Sequence, residues 1–176
     1  MVVDVAIALG SNLGDSLAIL ENAVADLSWE NGIELLAKST WYKTKAIGPP
    51  QPDYLNGCIT CRVGLEPEQL LDVLQATENR YGRERREHWG ARTLDLDLIL
   101  YGQQVIHTSR LQVPHPLMRE RSFVLVPLAE IAPDWLDPVS LLKIKVLAIA
   151  SVPKISNHSK ISRLFFGIIF SLGAVY

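Results

Sequence analysis

Two aspartates, Asp95 and Asp97, sit one residue apart in "ARTLDLDLIL", residues 91–100, a stretch otherwise rich in leucine and isoleucine. A strand alternates its side chains, so the two carboxylates share one face while Leu94, Leu96, Leu98 and Leu100 share the other. Like charges that close repel, and one would hold a proton near neutral pH unless a cation intervened. With no Cys or His in the strand itself, the pair suits a hard ion, and Mg²⁺ is commonly held by one or two carboxylates together with substrate phosphates. Immediately upstream, "RYGRERREHWGAR" puts Arg80, Arg83, Arg85, Arg86 and Arg92 inside 13 residues, bracketed by Gly82 and Gly90. Glu84 and Glu87 can pair with some of these arginines on a solvated surface. A glycine-hinged arginine loop leading into a carboxylate pair also sets bidentate phosphate binders beside a metal site, which is chemistry suited to a nucleotide.

Other stretches bear on the same chemistry. "GSNLGDS", residues 10–16, is the one candidate for a phosphate-cradling loop, but no lysine follows its second glycine. Gly10, Ser11 and Asn12 therefore read as turn and helix-entry residues close to the substrate. In "LQVPHPLMRERSFVLVPL", His115 lies between two prolines with Arg119 and Arg121 following. A histidine fixed in such a rigid loop beside arginines can clamp phosphate, although spacing alone leaves a structural role equally open. Cys58 and Cys61 form a C-x-x-C, yet no second pair completes a zinc site, and a strand would turn the two thiols to opposite faces.

These groups need elements to position them. The chain has 176 residues, 48% hydrophobic and 20% charged, which is enough for one ordinary core and far from the composition of disorder. A net charge of −2 and a pI near 6.1 exclude a global field attracting phosphate backbones or anionic lipid, so any anion site is local. "MVVDVAIALG" carries an acid where a secretory leader would be cationic, and a cytoplasmic enzyme is expected. Residues 2–9 read as a strand, and a helix follows from Asp15 to Leu27 with Leu17, Leu20, Val24 and Leu27 on one face. A second strand spans Ile33–Lys45, ended by "IGPPQP". "YLNGCITCRV" is a third strand, and "LEPEQLLDVLQATENRYG" a second helix with Pro67 in its first turn and Leu70, Leu74, Thr77 and Tyr81 on one face. "RTLDLDLILYG" is the fourth strand. The order βαββαβ predicts an α+β, ferredoxin-like fold, an antiparallel sheet with both helices packed on one face.

Taken together, "ALGSNLGD", "YLNGCI", "GRERREHWGARTLDLDLILYG" and "VPHPLMRERSFVLVPLAEIAPDW" resemble the 6-hydroxymethyl-7,8-dihydropterin pyrophosphokinase family of folate biosynthesis, over about residues 4–136. The resemblance implies transfer of diphosphate from ATP to a pterin alcohol with release of AMP. It implies that Asp95 and Asp97 hold two Mg²⁺ ions and that Arg83, Arg85, Arg92, His115 and Arg121 contact the triphosphate. Gln75, Glu78, Leu98, Arg110 and the loop residue Trp89 would lie near the nucleotide. Tyr54 and Phe123 would sandwich the pterin, with Asn56 and groups around Thr44 to Ile47 at its polar edge. The partners implied are ATP and the pterin, acting on a monomer without nucleic acid or membrane. Ferredoxin-like sheets also carry RNA-recognition motifs, but the "K/R-G-F/Y" pattern of those domains is absent. A metal-dependent phosphohydrolase would use the same carboxylates to activate water.

The resemblance stops near Ser140, dividing a pyrophosphokinase domain at 1–140 from a divergent tail at 141–176. The last 13 residues, "LFFGIIFSLGAVY", carry no charge and fall short of the ~18 apolar residues of a membrane span. An extra packed element, a membrane-surface tail and a reading-frame change remain open, the last fitting the abrupt end of the match.

Overall fold

A computed structural model of the chain describes residues 2–46, 50–82 and 91–152. The elements run β1 (Val3–Ser11), α1 (Ser16–Trp29), β2 (Ile33–Lys38), β3 (Tyr42–Thr44), β4 (Tyr54–Val63), α2 (Pro67–Arg80), β5 (Asp95–Tyr101), a short hairpin of β6 (Ile106–His107) and β7 (Gln112–Val113), a 3₁₀ turn (Met118–Glu120), α3 (Ser122–Ile131) and α4 (Ile144–Ser151). The sheet order is β2-β4-β1-β5 with every pair antiparallel, and β3 extends the sheet alongside β4. This is the expected ferredoxin-like arrangement, with α1 and α2 sharing one face of the sheet.

Strand alternation divides the apolar residues into two cores. Val5, Ile7 and Leu9 of β1 and Ile59, Cys61 and Val63 of β4 face Leu20, Val24 and Leu27 of α1 and Leu70 and Leu74 of α2. Ala6, Ala8 and Cys58 point the other way and meet α3 and α4. Small side chains there let α3 lie close against the strands. Cys58 and Cys61 are free, buried and on opposite faces. Burial pushes both thiols up, Cys61 to about 12, so neither is a ready nucleophile.

Several expectations change. β1 continues through Gly10 and Ser11, which are strand residues and not the turn. Leu17, in the first turn of α1 beside the Asp15 cap, is 52% exposed, and the helix buries Leu20, Ala23, Val24 and Leu27. The single strand expected over 33–45 is two: at Ser39 the side-chain hydroxyl accepts the Cys58 N–H, and the ladder breaks before Tyr42. Tyr81, expected on the apolar face of α2, does pack against that core, from the cap just past the helix, and it also donates its hydroxyl to Asp26 at 2.9 Å.

Leu100 does not share a face with Leu94, Leu96 and Leu98. β5 pairs Leu98 with Ile7 but Leu100 with Ala6, so Ile99 is an extra residue in a bulge, and Leu100 moves to the α3 side. The Ile99 carbonyl accepts the His115 N–H at 3.1 Å, so the bulge anchors the histidine loop.

Past residue 140 the described chain does not leave the fold. Lys143 stands at the N-cap of α4, whose Ile144, Leu147 and Ala148 are buried against α3, giving this part of the sequence the helix face that its composition did not suggest. Residues 153–176, like Ile47, Arg83, Arg85, Arg86 and Trp89, lie outside the described residues.

Candidate active site

The register across β4, β1 and β5 builds the floor of one cleft. Asn56 pairs with Gly10, which pairs with Asp95, and in the next row on the same face Cys58 pairs with Ala8, which pairs with Asp97. Paired residues project to the same face, so Asn56 and Asp95 flank a glycine, and the two carboxylates stand in adjacent rows. The resulting cleft has a volume of about 460 Å³ and is walled by Thr44, Tyr54, Arg92, Arg121 and Phe123.

Its charged end is held from three directions. Arg92 Nη1 donates to Asp95 Oδ2 at 2.6 Å. His115 Nε2 and Arg121 Nη1 stand 3.8 and 3.6 Å from Asp97 Oδ2. Burial, reinforced by the charge of Asp95, raises the Asp97 carboxyl above its usual range, against the pull of His115, Arg121 and Arg92. Burial likewise lowers His115. Its Nδ1 accepts the Leu117 N–H at 3.2 Å, which leaves the Nε2 proton of a neutral ring directed at Asp97. Two carboxylates crowded by positive donors form a donor set suited to a hard cation shared with a phosphate ligand. Among the described residues no three His, Cys, Asp or Glu side chains converge as a closed metal cage.

The other end is aromatic and amide-lined. Asn56 is buried and its Nδ2 donates to Thr44 Oγ1 at 2.7 Å, leaving an oriented amide on the floor. Tyr54 and Phe123 line the same cleft, and the Arg121 guanidinium lies over the Phe123 ring at 5.6 Å. Asn12 ties the walls together: its Oδ1 accepts the Arg92 N–H, its own N–H donates to the Arg92 carbonyl, and its Nδ2 donates to Gln51 and Pro52.

A family model described as 7,8-dihydro-6-hydroxymethylpterin-pyrophosphokinase (HPPK) matches residues 6–133. The chain belongs to this family. Proteins named 2-amino-4-hydroxy-6-hydroxymethyldihydropteridine pyrophosphokinase are similar to it: one from Synechocystis sp. is 56% identical over 134 residues, covering 76% of this chain and 69% of that protein. Those from Haemophilus influenzae and Bacillus subtilis are 47% and 44% identical, covering 76% and 71% of this chain and 84% and 75% of theirs. A crystal structure of Plasmodium falciparum HPPK-DHPS with pteroate superposes with a TM-score of 0.68 at 12% identity, covering 86% of this chain and 43% of that one, and so supports the fold. The chain thus spans less than half the length of that solved protein.

Among the described residues, the cleft gathers most of those expected of an HPPK site: Thr44, Tyr54, Asn56, Arg92, Asp95, Asp97, Arg121 and Phe123 line it, and His115 adjoins Asp97. Gln75, Glu78, Leu98 and Arg110, expected near the nucleotide, are not in its lining. Glu78 is buried and accepts the Leu96 N–H at 2.7 Å, between the two aspartates, so its carboxylate steadies β5. The Leu98 side chain packs in the core beneath α1 and α2. Arg110, beyond β6, pairs with Glu68 and Asp72 of α2. Gln75 is half-buried on α2. Arg119, grouped by spacing with a phosphate clamp, turns away to Asp137. Sequence reading missed Leu117, Glu120 and Val124 as lining residues, since an exposed turn and a helix start carry no periodic signal.

Proposed function

We propose that the chain performs the pyrophosphokinase reaction of its family, moving a diphosphate from ATP to the hydroxymethyl group of 6-hydroxymethyl-7,8-dihydropterin with release of AMP. The observation that carries this reading is one cleft with two unlike ends: an Asp95–Asp97 pair faced by Arg92, His115 and Arg121, and a Tyr54–Asn56–Phe123 end matched to a flat heterocycle with a polar edge.

In this reading the pterin stacks between Tyr54 and Phe123 and Asn56 holds its edge, which aims the hydroxymethyl group over Gly10 toward the carboxylates. The hydroxyl oxygen attacks the β-phosphorus and gives up its proton to solvent, the bond from that phosphorus to the oxygen bridging it to the α-phosphate breaks, and AMP departs with that oxygen. Asp95 and Asp97 would hold Mg²⁺, which neutralises phosphate charge when bound. Arg92, Arg121 and the Nε2–H of His115 offer donors to the transferring phosphates, and catalysis rests on positioning and electrostatics more than on a protein base. Arg83 and Arg85 would add to that set. Gln75, Arg110 and Trp89 would border the nucleotide, while Glu78 and Leu98, whose side chains are buried, would act there through the backbone of β5. Among the described residues no helix is long and apolar enough to cross a membrane. Separately from that observation, we take the enzyme to be monomeric and cytoplasmic.

Incubation with ATP, Mg²⁺ and the pterin, followed by chromatography, tests the reading. AMP and a pterin diphosphate formed in equal amounts, only with the pterin present, support it. ADP, or phosphate released without the pterin, would replace it with another phosphoryl-transfer activity.

A further inference from the structure

The family match ends at Pro133, but a carboxylate beyond that limit is built into the frame of the site. The Asp137 side chain is fully buried and receives a fork from Arg119: Nε to Oδ2 and Nη2 to Oδ1, both at 2.6 Å. Ser140 adds its hydroxyl at 2.5 Å and its N–H at 3.1 Å, and the Val139 N–H lies at 3.3 Å. These bonds fill the acceptor capacity of a carboxylate and commit the Arg119 guanidinium.

Arg119 belongs to the 3₁₀ turn that joins His115 to Arg121. The Met118 N–H donates to the His115 carbonyl at 3.0 Å, and the Arg121 N–H donates to the Met118 carbonyl at 3.3 Å. With about three residues per turn, positions two apart project to different sides. Arg121 accordingly faces Asp97 while Arg119 faces Asp137. A turn this short has little stability of its own, and inside it only Met118 is buried. The Arg119 fork is the second anchor, gripping the turn from the side opposite the cleft.

A buried ion pair adds little net stability after its desolvation cost, but a bidentate fork fixes orientation. We propose that Asp137, through its fork with Arg119, is a positioning residue for Arg121 in diphosphate transfer, so that chain beyond the family match sets turnover at the site. The inference rests on the proposed function and extends it to residues that touch no substrate.

The test is a double-mutant cycle on the full chain: wild type, Arg119→Met, Arg119→Lys, Arg121→Ala and Arg119→Met with Arg121→Ala, assayed at a temperature where melting curves show each folded. Wild-type turnover, measured first, decides the proposed function. The comparison among variants decides the clamp. Arg119→Met is expected to lower kcat about tenfold and raise the KM for ATP, with the KM for the pterin within about twofold. The double variant should be no slower than Arg121→Ala alone, because the fork acts only through Arg121. Arg119→Lys, which keeps the charge and one donor, should recover part of the loss and serves as the informative single variant if Arg119→Met does not fold. Additive losses in the double variant, a lowered melting temperature with unchanged turnover, or failure of Arg119→Lys to fold would each overturn the proposal by reducing the fork to a stability element.

Discussion

Gly10→Ala probes the floor of the cleft with a single methyl group. Gly10 lies between Asn56 and Asp95 in the cross-strand row, and a Cβ built there stands 3.0 Å from Asn56 Oδ1 and 3.7 Å from the Tyr54 ring. Asn56 cannot retreat freely, because it is buried and its Nδ2 is bound to Thr44 at 2.7 Å. The amide must shift by a few tenths of an ångström or rotate, and the polar edge of the pterin then loses one or two aligned hydrogen bonds. An unmade bond in a desolvated site costs about 1–3 kcal/mol, so the KM for the pterin should rise by about fivefold to about 150-fold for each bond lost. The KM for ATP should stay within about twofold, since the methyl does not approach the arginines. The fold should survive, because alanine in a strand recovers about 0.5–1 kcal/mol relative to glycine and offsets part of the crowding. Steady-state kinetics with each substrate varied in turn, beside a melting curve, read all three quantities. An unchanged pterin KM in a folded variant would refute the placement of the pterin edge at Asn56.

Asp97→Asn should reduce turnover by orders of magnitude with an unchanged melting temperature, since it removes a cation ligand from a cleft and no core contact. Unchanged turnover at saturating Mg²⁺ would exclude that role. Leu141 has φ +59° and is 71% exposed, so Leu141→Gly relieves left-handed strain at little loss of burial; a gain of about 1 kcal/mol, or about 2–4 °C in melting temperature, is expected. The Arg119 fork and its neighbours hold the Asp137 carboxyl, despite burial, down at about 2. A depressed carboxyl contributes stability that is complete above the unfolded value near 4 and is lost as pH falls toward 2. The unfolding free energy of wild type, read from urea melts, should therefore exceed that of Asp137→Asn by about 2 kcal/mol at neutral pH, and this gap should narrow steadily below about pH 4.

The sequence disclosed whatever depended on period and side-chain type. Alternation put Asp95 with Asp97 and set Cys58 against Cys61, and helical spacing found the buried Leu70, Leu74 and Thr77 of α2. What escaped depended on contacts distant in sequence. The Ile99 bulge is silent because isoleucine and leucine suit either face of a doubly covered sheet. Gly10 reads as a turn residue by composition, and only its neighbours Asn56 and Asp95 show that its missing side chain is cleft space. Arg119 and Arg121 look equivalent in sequence, but the 3₁₀ turn sends one to Asp137 and the other to Asp97. α4 has its buried residues chosen by α3, so its apolar composition alone does not disclose a helix face.

The most direct measurement follows the label from ATP carrying an isotope at the β-phosphorus. With Mg²⁺ and the pterin present, the label should leave the nucleotide entirely and appear in the pterin product, while the nucleotide recovered is unlabelled AMP. Label retained in ADP, or released as free phosphate or diphosphate without a pterin adduct, would contradict diphosphate transfer at this cleft.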